Sequence, residues 1–332
     1  MIRFEVGADD LLHSRFAVSP LFELDSLLRI LAGIGHKRGP APLVDSLRPA
    51  YEKLLARTDL RAIEALFSAT YGPTFIAPPP RGMAQTIDDD LKAMRATPLE
   101  TARAEIAQGL SYRPCSDPAV LAILNSADVV SRFASTLEEC WHELLAPRWP
   151  RLRAVCERDV VHRSAELSRA GWAAALAGLN RKVRWNDGGI ELRRSFHHDP
   201  IPLGGKGLLF IPSVFVWPEV AMHYDEPWPK AIIYPARGVA ALLQVGTAAS
   251  HDALSDLIGR TRARLLLALA SPASTTQLAR VCGLAVGAVG DHLRVMLRAG
   301  LLHTARSGRS VIYSRTRFGD TLITRTTTSR HR

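Results

Sequence analysis

The chain of 332 residues lacks a long apolar segment, since no run of about 18 uncharged apolar residues occurs, and this argues against a membrane span. Its first residues include Asp9 and Asp10 and no apolar stretch, so we expect no signal peptide. Four cysteines are present and none forms a CxxC pair, which excludes a disulfide framework and favours buried, reduced thiols. These absences predict a cytoplasmic protein.

Recognisable catalytic patterns are also missing. Residues 204–207 have neither the spacing nor the hydroxyl residue of a phosphate-binding loop, and no serine lies in a nucleophile elbow. His197 and His198 are adjacent near the end of a predicted strand, where neighbouring side chains point to opposite faces and do not readily share one metal ion. We therefore expect no enzyme activity, no cofactor and no metal site.

Positive charge is concentrated in the last quarter of the chain. Residues 250–332 contain 13 arginines, no lysine, four aspartates and no glutamate, a net charge of +9 out of +10 for the whole protein. An arginine-rich genome would make the entire chain basic, so the asymmetry needs another cause. A basic domain beside a nearly neutral body is typical of a protein that binds a polyanion.

The first 240 residues predict a mostly helical body. Apolar residues such as Leu21, Leu24, Leu28 and Leu31 recur at helical spacing, and two long helices are expected over 118–148 and 152–179. From residue 182 onward, short strands alternate with glycine-rich turns, which indicates a small antiparallel sheet packed against the helices. Residues 217–229 contain three prolines and predict an ordered loop.

The C-terminal residues follow the order of a winged helix-turn-helix. Ser274 and Gln277 form a capping box that opens a helix ending at Gly283. A second helix over 285–299 carries an apolar stripe, and two short strands then surround a glycine turn at 307–308. The fold class is thus α+β, a mostly helical body with a small antiparallel sheet followed by a winged helix-turn-helix. Its second motif helix fits a major groove about 12 Å wide.

The stretch from Leu257 to Tyr313 resembles the ArsR family of bacterial transcriptional regulators. The likeness rests on four stretches of sequence. They are 259–264 with the leucines that follow in the helix before the motif, 277–284 in the first motif helix and the turn, 289–301 with His292 and Leu293 in the second motif helix, and 308–313 in the wing. Residues 15–23 resemble an uncharacterised N-terminal domain that is fused to such helices in some regulators, and this looser likeness covers most of 1–240. The resemblance implies a dimeric DNA-binding protein, with double-stranded DNA as its partner.

The residues that match the DNA-contacting parts of the family lie on both motif helices and on the wing. They are Thr275, Thr276, Gln277, Val286, Gly287, Ala288, Gly290, Asp291, His292, Arg294, Arg298, Arg306, Ser307 and Arg309.

Two departures from the family pattern concern readout and metal. Small and apolar residues occupy 285–290, where the family usually has polar ones, so few side chains remain to bond base edges. Phosphate would repel Asp291 unless it accepts a bond from a cytosine amine or pairs with Arg294. Metal-sensing members carry a cysteine pair in the first motif helix, whereas only Cys282 is present here, and one thiolate is no metal site.

Three segments are expected: 1–245 for dimerisation or effector sensing, 246–320 as the winged helix-turn-helix, and 321–332 as a basic, flexible tail. The sequence predicts a homodimeric repressor that responds to a small, non-metal effector. Trp217, Tyr224, Trp228 and Tyr234 are candidate walls of an apolar pocket, although packing of the proline-rich loop is the simpler explanation.

Three alternatives remain open at this stage. The first is a protein-interaction module that uses a degenerate winged helix, and the second is a ligand-binding protein with little DNA specificity. The third is an enzyme that the winged domain only positions, for which the sequence offers no set of catalytic residues.

Overall fold

The structure is a computed structural model that describes residues 1–34, 41–193, 199–216, 218–239, 252–269, 272–307 and 310–328. It divides into two compact units, the first formed by 1–149 with 166–235 and the second by 150–165 with 236–332. Each unit has a hydrophobic core of its own. This architecture confirms the α+β class expected from the sequence.

Helices form most of the first unit. Within the described residues they are α1 Ala8–His13, α2 Pro20–Leu31, α3 Ala41–Arg57, α4 Leu60–Ala65, α5 Ile87–Arg95, α6 Leu99–Tyr112, α7 Pro118–Leu124, α8 Val129–Cys140 and α9 Trp149–Leu176, with a short 3-10 turn at Thr74–Ile76. α9 is kinked at Ala170 and Gly171, whose backbone angles are not helical, so the second long helix expected from the sequence is interrupted there. Local sequence sets their ends. Ser19 caps α2 by accepting a hydrogen bond from the N–H of Phe22 at 3.0 Å, and Gly33, with a φ of +72°, follows its last turn.

The segment 118–148 is not the single long helix that the periodicity predicts. α7 ends at Leu124 and α8 begins at Val129, with a bend of 107° between the two axes, and a π-helical turn follows at Trp141–Leu145. The break falls on polar residues, where the Ser126 hydroxyl donates to the carbonyl of Ile123 at 2.8 Å. Such side chains bond the nearby backbone and thereby compete with helix continuation.

Two four-stranded sheets complete the first unit. Their strand orders are β3-β4-β1-β5 and β2-β6-β8-β7. The strands are β1 Ile2–Glu5, β2 Arg15–Phe16, β3 Val183–Asn186, β4 Gly189–Leu192, β5 Ile201–Pro202, β6 Leu209–Ser213, β7 Ala221–His223 and β8 Ala231–Pro235. The predicted hairpin of β3 and β4 is present, and its turn residues Asp187 and Gly188 both have positive φ, as a type I′ turn requires.

The expectation of a purely antiparallel sheet is wrong. The pairs β1–β5, β2–β6 and β6–β8 are parallel. Parallel neighbours require long connections, so their direction depends on distant segments rather than on a local turn. The proline-rich segment expected to be only a loop also contains β7, which pairs with β8.

A core of apolar side chains joins these strands to the end of α9. Phe4, Ile190, Phe210, Ile232 and Tyr234 are at most 2% exposed. Each such burial contributes about 1.5–3 kcal/mol relative to an exposed side chain. The sheets therefore hold the two ends of the first unit's sequence together.

No single helix in the described part of the chain reaches the length and hydropathy that a membrane span needs. The bent pair α7 and α8, extended to Leu145, passes that test only when its two helices are taken together.

The second unit contains the winged motif. Its helices, apart from residues 150–165 of α9, are α10 Asp252–Ile258, α11 Arg260–Ala268, α12 Thr275–Cys282, α13 Val286–Arg298 and α14 Arg317–Thr328. Its sheet has the order β10-β11-β9, with β9 Ala273–Ser274, β10 Leu302–Ser307 and β11 Ser310–Arg315. Leu265, Leu278, Val289 and Leu293 are fully buried at its centre, and Ala154 of α9 joins the same cluster.

The unit boundaries differ from the expected segments in two places. Residues 150–165 group with the winged motif rather than with the helical body. α14 extends through Thr328, although a flexible tail was expected from residue 321. The predicted boundary at 245–246 lies outside the described residues.

Candidate nucleic-acid interface

The turn between α12 and α13 is built from local sequence signals. Ser274 accepts a hydrogen bond from the N–H of Gln277 at 3.3 Å, while the Gln277 side chain accepts one from the N–H of Ser274 at 2.8 Å. Gly283 is left-handed at φ +64°, and the N–H of Leu284 donates to the carbonyl of Ala279 at 2.9 Å. This is the Schellman arrangement, and it fixes the angle at which α13 leaves the turn.

The orientation of α13 follows from its apolar stripe. Val289, Leu293 and Met296 are at most 1% exposed and pack into the core of the second unit. At 100° per residue, the opposite side of the helix carries 287, 291, 294 and 298. All four of these residues are exposed. We call Gly287, Asp291, Arg294 and Arg298 the outer stripe.

The first two turns of α13 present little side-chain surface. Val286 is 50% exposed, and Ala288 is exposed beside the outer stripe. A Cβ atom added to Gly287 or Gly290 would have no neighbour within 4 Å, so packing within the chain requires glycine at neither place. A partner surface can therefore approach the backbone of this helix closely.

Asp291 and Arg294 form an ion pair on the outer stripe. The distance between Arg294 Nη1 and Asp291 Oδ1 is 2.9 Å, and the two side chains are 69% and 71% exposed. A pair this exposed contributes only about 0–1 kcal/mol to stability. It does place a donor and an acceptor side by side at the middle of the helix, where His292 is partly buried next to them.

The wing is a regular hairpin. β10 and β11 pair antiparallel from Leu302 opposite Arg315 to Ser307 opposite Ser310, and β9 pairs with β11 on the other side. Arg306 is exposed near the tip of β10. Arg309, a DNA contact expected from the sequence, lies outside the described residues, and Ser307 is described only as the last residue of its strand.

Three further residues assigned to DNA contact lie at the start of α12. Thr276 is exposed and Thr275 is partly exposed, whereas the Gln277 side chain already serves the capping box. The structure thus gives Gln277 a role in holding the helix. The DNA contacts of all these residues stay predictions.

Two arginines, Arg158 buried and Arg264 partly buried, bond the ends of the helices that flank the motif, and the sequence pattern did not reveal these contacts. Arg158 of α9 is 8% exposed and donates to the carbonyl of Ala268 at 2.7 Å, at the end of α11. Arg264 donates to the carbonyl of Cys282 at 2.7 Å, at the end of α12. Both guanidinium groups satisfy carbonyls at the negative end of a helix dipole. Burial lowers the pKa of Arg158.

Cys282 is a buried thiol at the end of α12. It is 7% exposed, and burial raises its pKa, although Arg264, Arg158 and Arg151 act in the opposite direction. Over the described part of the chain, no three His, Cys, Asp or Glu side chains are grouped so that they could hold a metal ion. The predicted histidines His197 and His198 lie outside that part.

The aromatic residues proposed to line an apolar pocket have separate environments. Tyr234 is fully buried in the sheet core and Tyr224 packs at its edge, whereas the Trp228 ring N–H donates to Glu105 at 2.5 Å. Trp217 lies outside the described residues. A half-open cavity of about 350 Å³ in the first unit is lined instead by polar and acidic side chains, including Glu105.

Comparison with known proteins gives two family matches. A helix-turn-helix domain matches residues 257–305, and a family of unknown function (DUF5937) matches residues 123–240. No curated protein and no solved structure matches the chain. The two matches confirm the layout expected from the sequence, an uncharacterised domain followed by a helix-turn-helix domain. With the capped helices and the wing, they support a DNA-binding winged-helix regulator in general terms.

Proposed function

We propose that this protein is a transcriptional regulator of the ArsR type that binds double-stranded DNA through α12, α13 and the wing. One observation carries the proposal. A rigidly capped turn presents a helix whose exposed outer stripe ends in Arg294 and Arg298, and the neighbouring wing strand exposes Arg306. Helices presented in this way enter the major groove, while arginines at their ends and on wings neutralise phosphates.

The regulator acts as a homodimer and represses transcription. A winged motif contacts one half-site, and two-fold pairing allows a protein to contact two half-sites about one helical turn apart. Occupancy of such a site blocks transcription when it overlaps a promoter. The protein works in the cytoplasm, where bacterial DNA lies, and has no catalytic activity.

The first unit senses a small molecule that is not a metal ion. The helical body is the larger part of the chain, and its polar cavity of about 350 Å³ is within the size range of small-ligand sites. Cys282 is the one cysteine of α12, and burial raises the pKa of its thiol, which speaks against metal sensing through this helix.

The test of DNA binding uses the full chain and a pool of randomised duplexes. We expect Arg298→Ala and Arg306→Ala each to weaken binding by about 10- to 150-fold, because a charge-assisted contact to phosphate contributes about 1.5–3 kcal/mol. Arg103→Ala, which removes an exposed arginine of α6 in the first unit, is the matched control and should bind like the wild type. Equal affinities for all four proteins would contradict the proposal.

A further inference from the structure

Apart from Arg298 at its end, the outer stripe of α13 has two side chains that can form hydrogen bonds, and both lie near the middle of the helix. Gly287 has no side chain, and Arg298 is the last residue of the helix. Asp291 and Arg294 lie between them, joined by their 2.9 Å ion pair. Recognition helices contact base edges mainly with residues near their start. The first turn of α13 has no side chain that can form hydrogen bonds, so base recognition by this stripe depends on Asp291 and Arg294 in the turns that follow.

An exposed carboxylate on this surface weakens binding to phosphate in general. Its ion pair with Arg294 is so exposed that it adds little to the stability of the fold, and this small gain does not compensate for the weaker binding to phosphate. A carboxylate is a pure acceptor of hydrogen bonds, so it discriminates among bases. In the major groove it matches the amino group of cytosine, whereas guanine O6 and N7 and thymine O4 repel it. Adenine also has an amino group there, but the N7 acceptor beside it disfavours a carboxylate.

Arg294 complements Asp291. A guanidinium has five N–H donors, and the ion pair with Asp291 uses one of its nitrogens, Nη1. The pair therefore presents an acceptor beside several donors. A C·G base pair shows the reverse pattern in its major groove, the cytosine amine beside the guanine acceptors.

We propose that Asp291 determines the base preference of this protein by accepting a hydrogen bond from cytosine, with Arg294 as its partner on the guanine of the same base pair. The inference rests on the proposed function. The open space around Gly287 and Gly290 allows the helix to approach the groove closely enough for these short contacts. Asp291 then lowers affinity for DNA in general and raises it for sites with a C·G pair at one position.

The experiment is a selection from duplexes randomised over about two helical turns, followed by affinity measurements at fixed salt. Wild type, Asp291→Asn, Asp291→Ala and the control Asp256→Ala are compared as full chains. Asp256 is an exposed aspartate of α10, so its replacement removes the same charge away from α13. Because Asp291 is 71% exposed, its variants should melt at the wild-type temperature, and this is measured first.

The wild type and Asp256→Ala should select cytosine at one position, and replacing that cytosine should cost about 5- to 150-fold in affinity. Asp291→Asn should shift the preference toward adenine, which an amide bonds at N6 and N7. Asp291→Ala should lose the preference and bind a scrambled duplex more tightly than the wild type does.

Two results would overturn the inference in distinguishable ways. If the wild type and both Asp291 variants select the same bases, Asp291 does not determine the preference, although the proposed function stands. If the wild type binds no duplex at any salt concentration, the proposed function fails and the inference fails with it.

Discussion

Two glycines of the second unit differ in the space available for a side chain. A Cβ atom on Gly319 of α14 would lie 2.5 Å from the carbonyl oxygen of Leu301, closer than real Cβ contacts come. A Cβ atom on Gly287 of α13 would meet nothing within 4 Å. The close approach at Gly319 lets α14 pack where α13 leads into the wing, while Gly287 only lowers helix propensity.

These constraints predict opposite changes in stability. Gly319→Ala should lower the free energy of unfolding by about 1–3 kcal/mol, because the added methyl group forces α14 away from Leu301. Gly287→Ala should raise it by up to about 1 kcal/mol through helix propensity. Chemical denaturation of the full chain measures both. Equal effects of the two substitutions would contradict the packing of α14 described here.

Glu23 of α2 is a buried carboxyl group. It is 1% exposed, and its Oε1 accepts a hydrogen bond from the N–H of Val214 at 2.9 Å. Burial raises its pKa from 4.5 to about 7, a shift that the bonds to Ser213 and Val214 only partly oppose. Between these two values the folded state binds more protons than the unfolded state, so this group's contribution to stability falls as the pH rises through about 7.

Glu23→Gln should remove that dependence. The wild type should lose stability, relative to the variant, between about pH 4.5 and 7, by an amount on the order of 3 kcal/mol. The difference between the two proteins is the quantity to measure, because Asp90 and His223 also titrate. Burial raises the pKa of Asp90 to about 7, while it lowers the pKa of His223 to about 4 and so acts in the opposite direction.

Melting temperatures of both proteins across pH 5 to 8 give the comparison. A constant difference over that range would show that Glu23 ionises normally in the folded protein.

At the scale of elements, the capping box of α12 is the clearest case of a local signal that sets the geometry of the candidate interface. Ser274→Ala should cost about 1 kcal/mol of stability, because it leaves the N–H of Gln277 without its partner. Thr276→Ala in the same turn removes an exposed hydroxyl-bearing side chain and should change stability by less than about 0.5 kcal/mol. Denaturation curves of the two variants and the wild type measure these changes in stability. Equal losses would mean that the cap does not hold the helix.

Elements specified by neighbouring residues could be predicted from the sequence. The capping box at Ser274, the glycine end of α12 and the turn at Asp187 depend on contacts a few residues apart, and each is present in the structure. The apolar stripe of α13 likewise predicted which side of the helix is buried, and therefore which side is exposed. Local chemistry therefore sufficed for most of the winged motif.

Features specified by distant contacts could not be predicted. The parallel pairing of β2 with β6 joins residues about 190 positions apart, and no local pattern encodes its direction. The place of residues 150–165 in the second unit depends on Arg158 reaching Ala268, a contact across 110 positions. Within the site, the sequence suggested the Asp291–Arg294 pair, but only the structure shows that both side chains are exposed.

At the scale of the whole molecule, the proposed assembly gives a direct expectation. The protein should sediment as a dimer at micromolar concentration, because a single winged motif contacts only one half-site. Sedimentation equilibrium with and without duplex DNA measures this. A monomer under both conditions would reject the dimer and leave DNA binding itself untouched.

The uneven charge of the molecule leads to the most direct test of its function. Residues 250–332 carry a net charge of +9, and each phosphate that the protein neutralises contributes about −0.9 to the slope of log K against log salt concentration. The measurement is that slope for the full chain on one duplex, for wild type, Arg298→Ala and Arg103→Ala. The account predicts a steep slope for wild type and Arg103→Ala, and one shallower by about 0.9 for Arg298→Ala. A slope near zero, or one unchanged in Arg298→Ala, would contradict it.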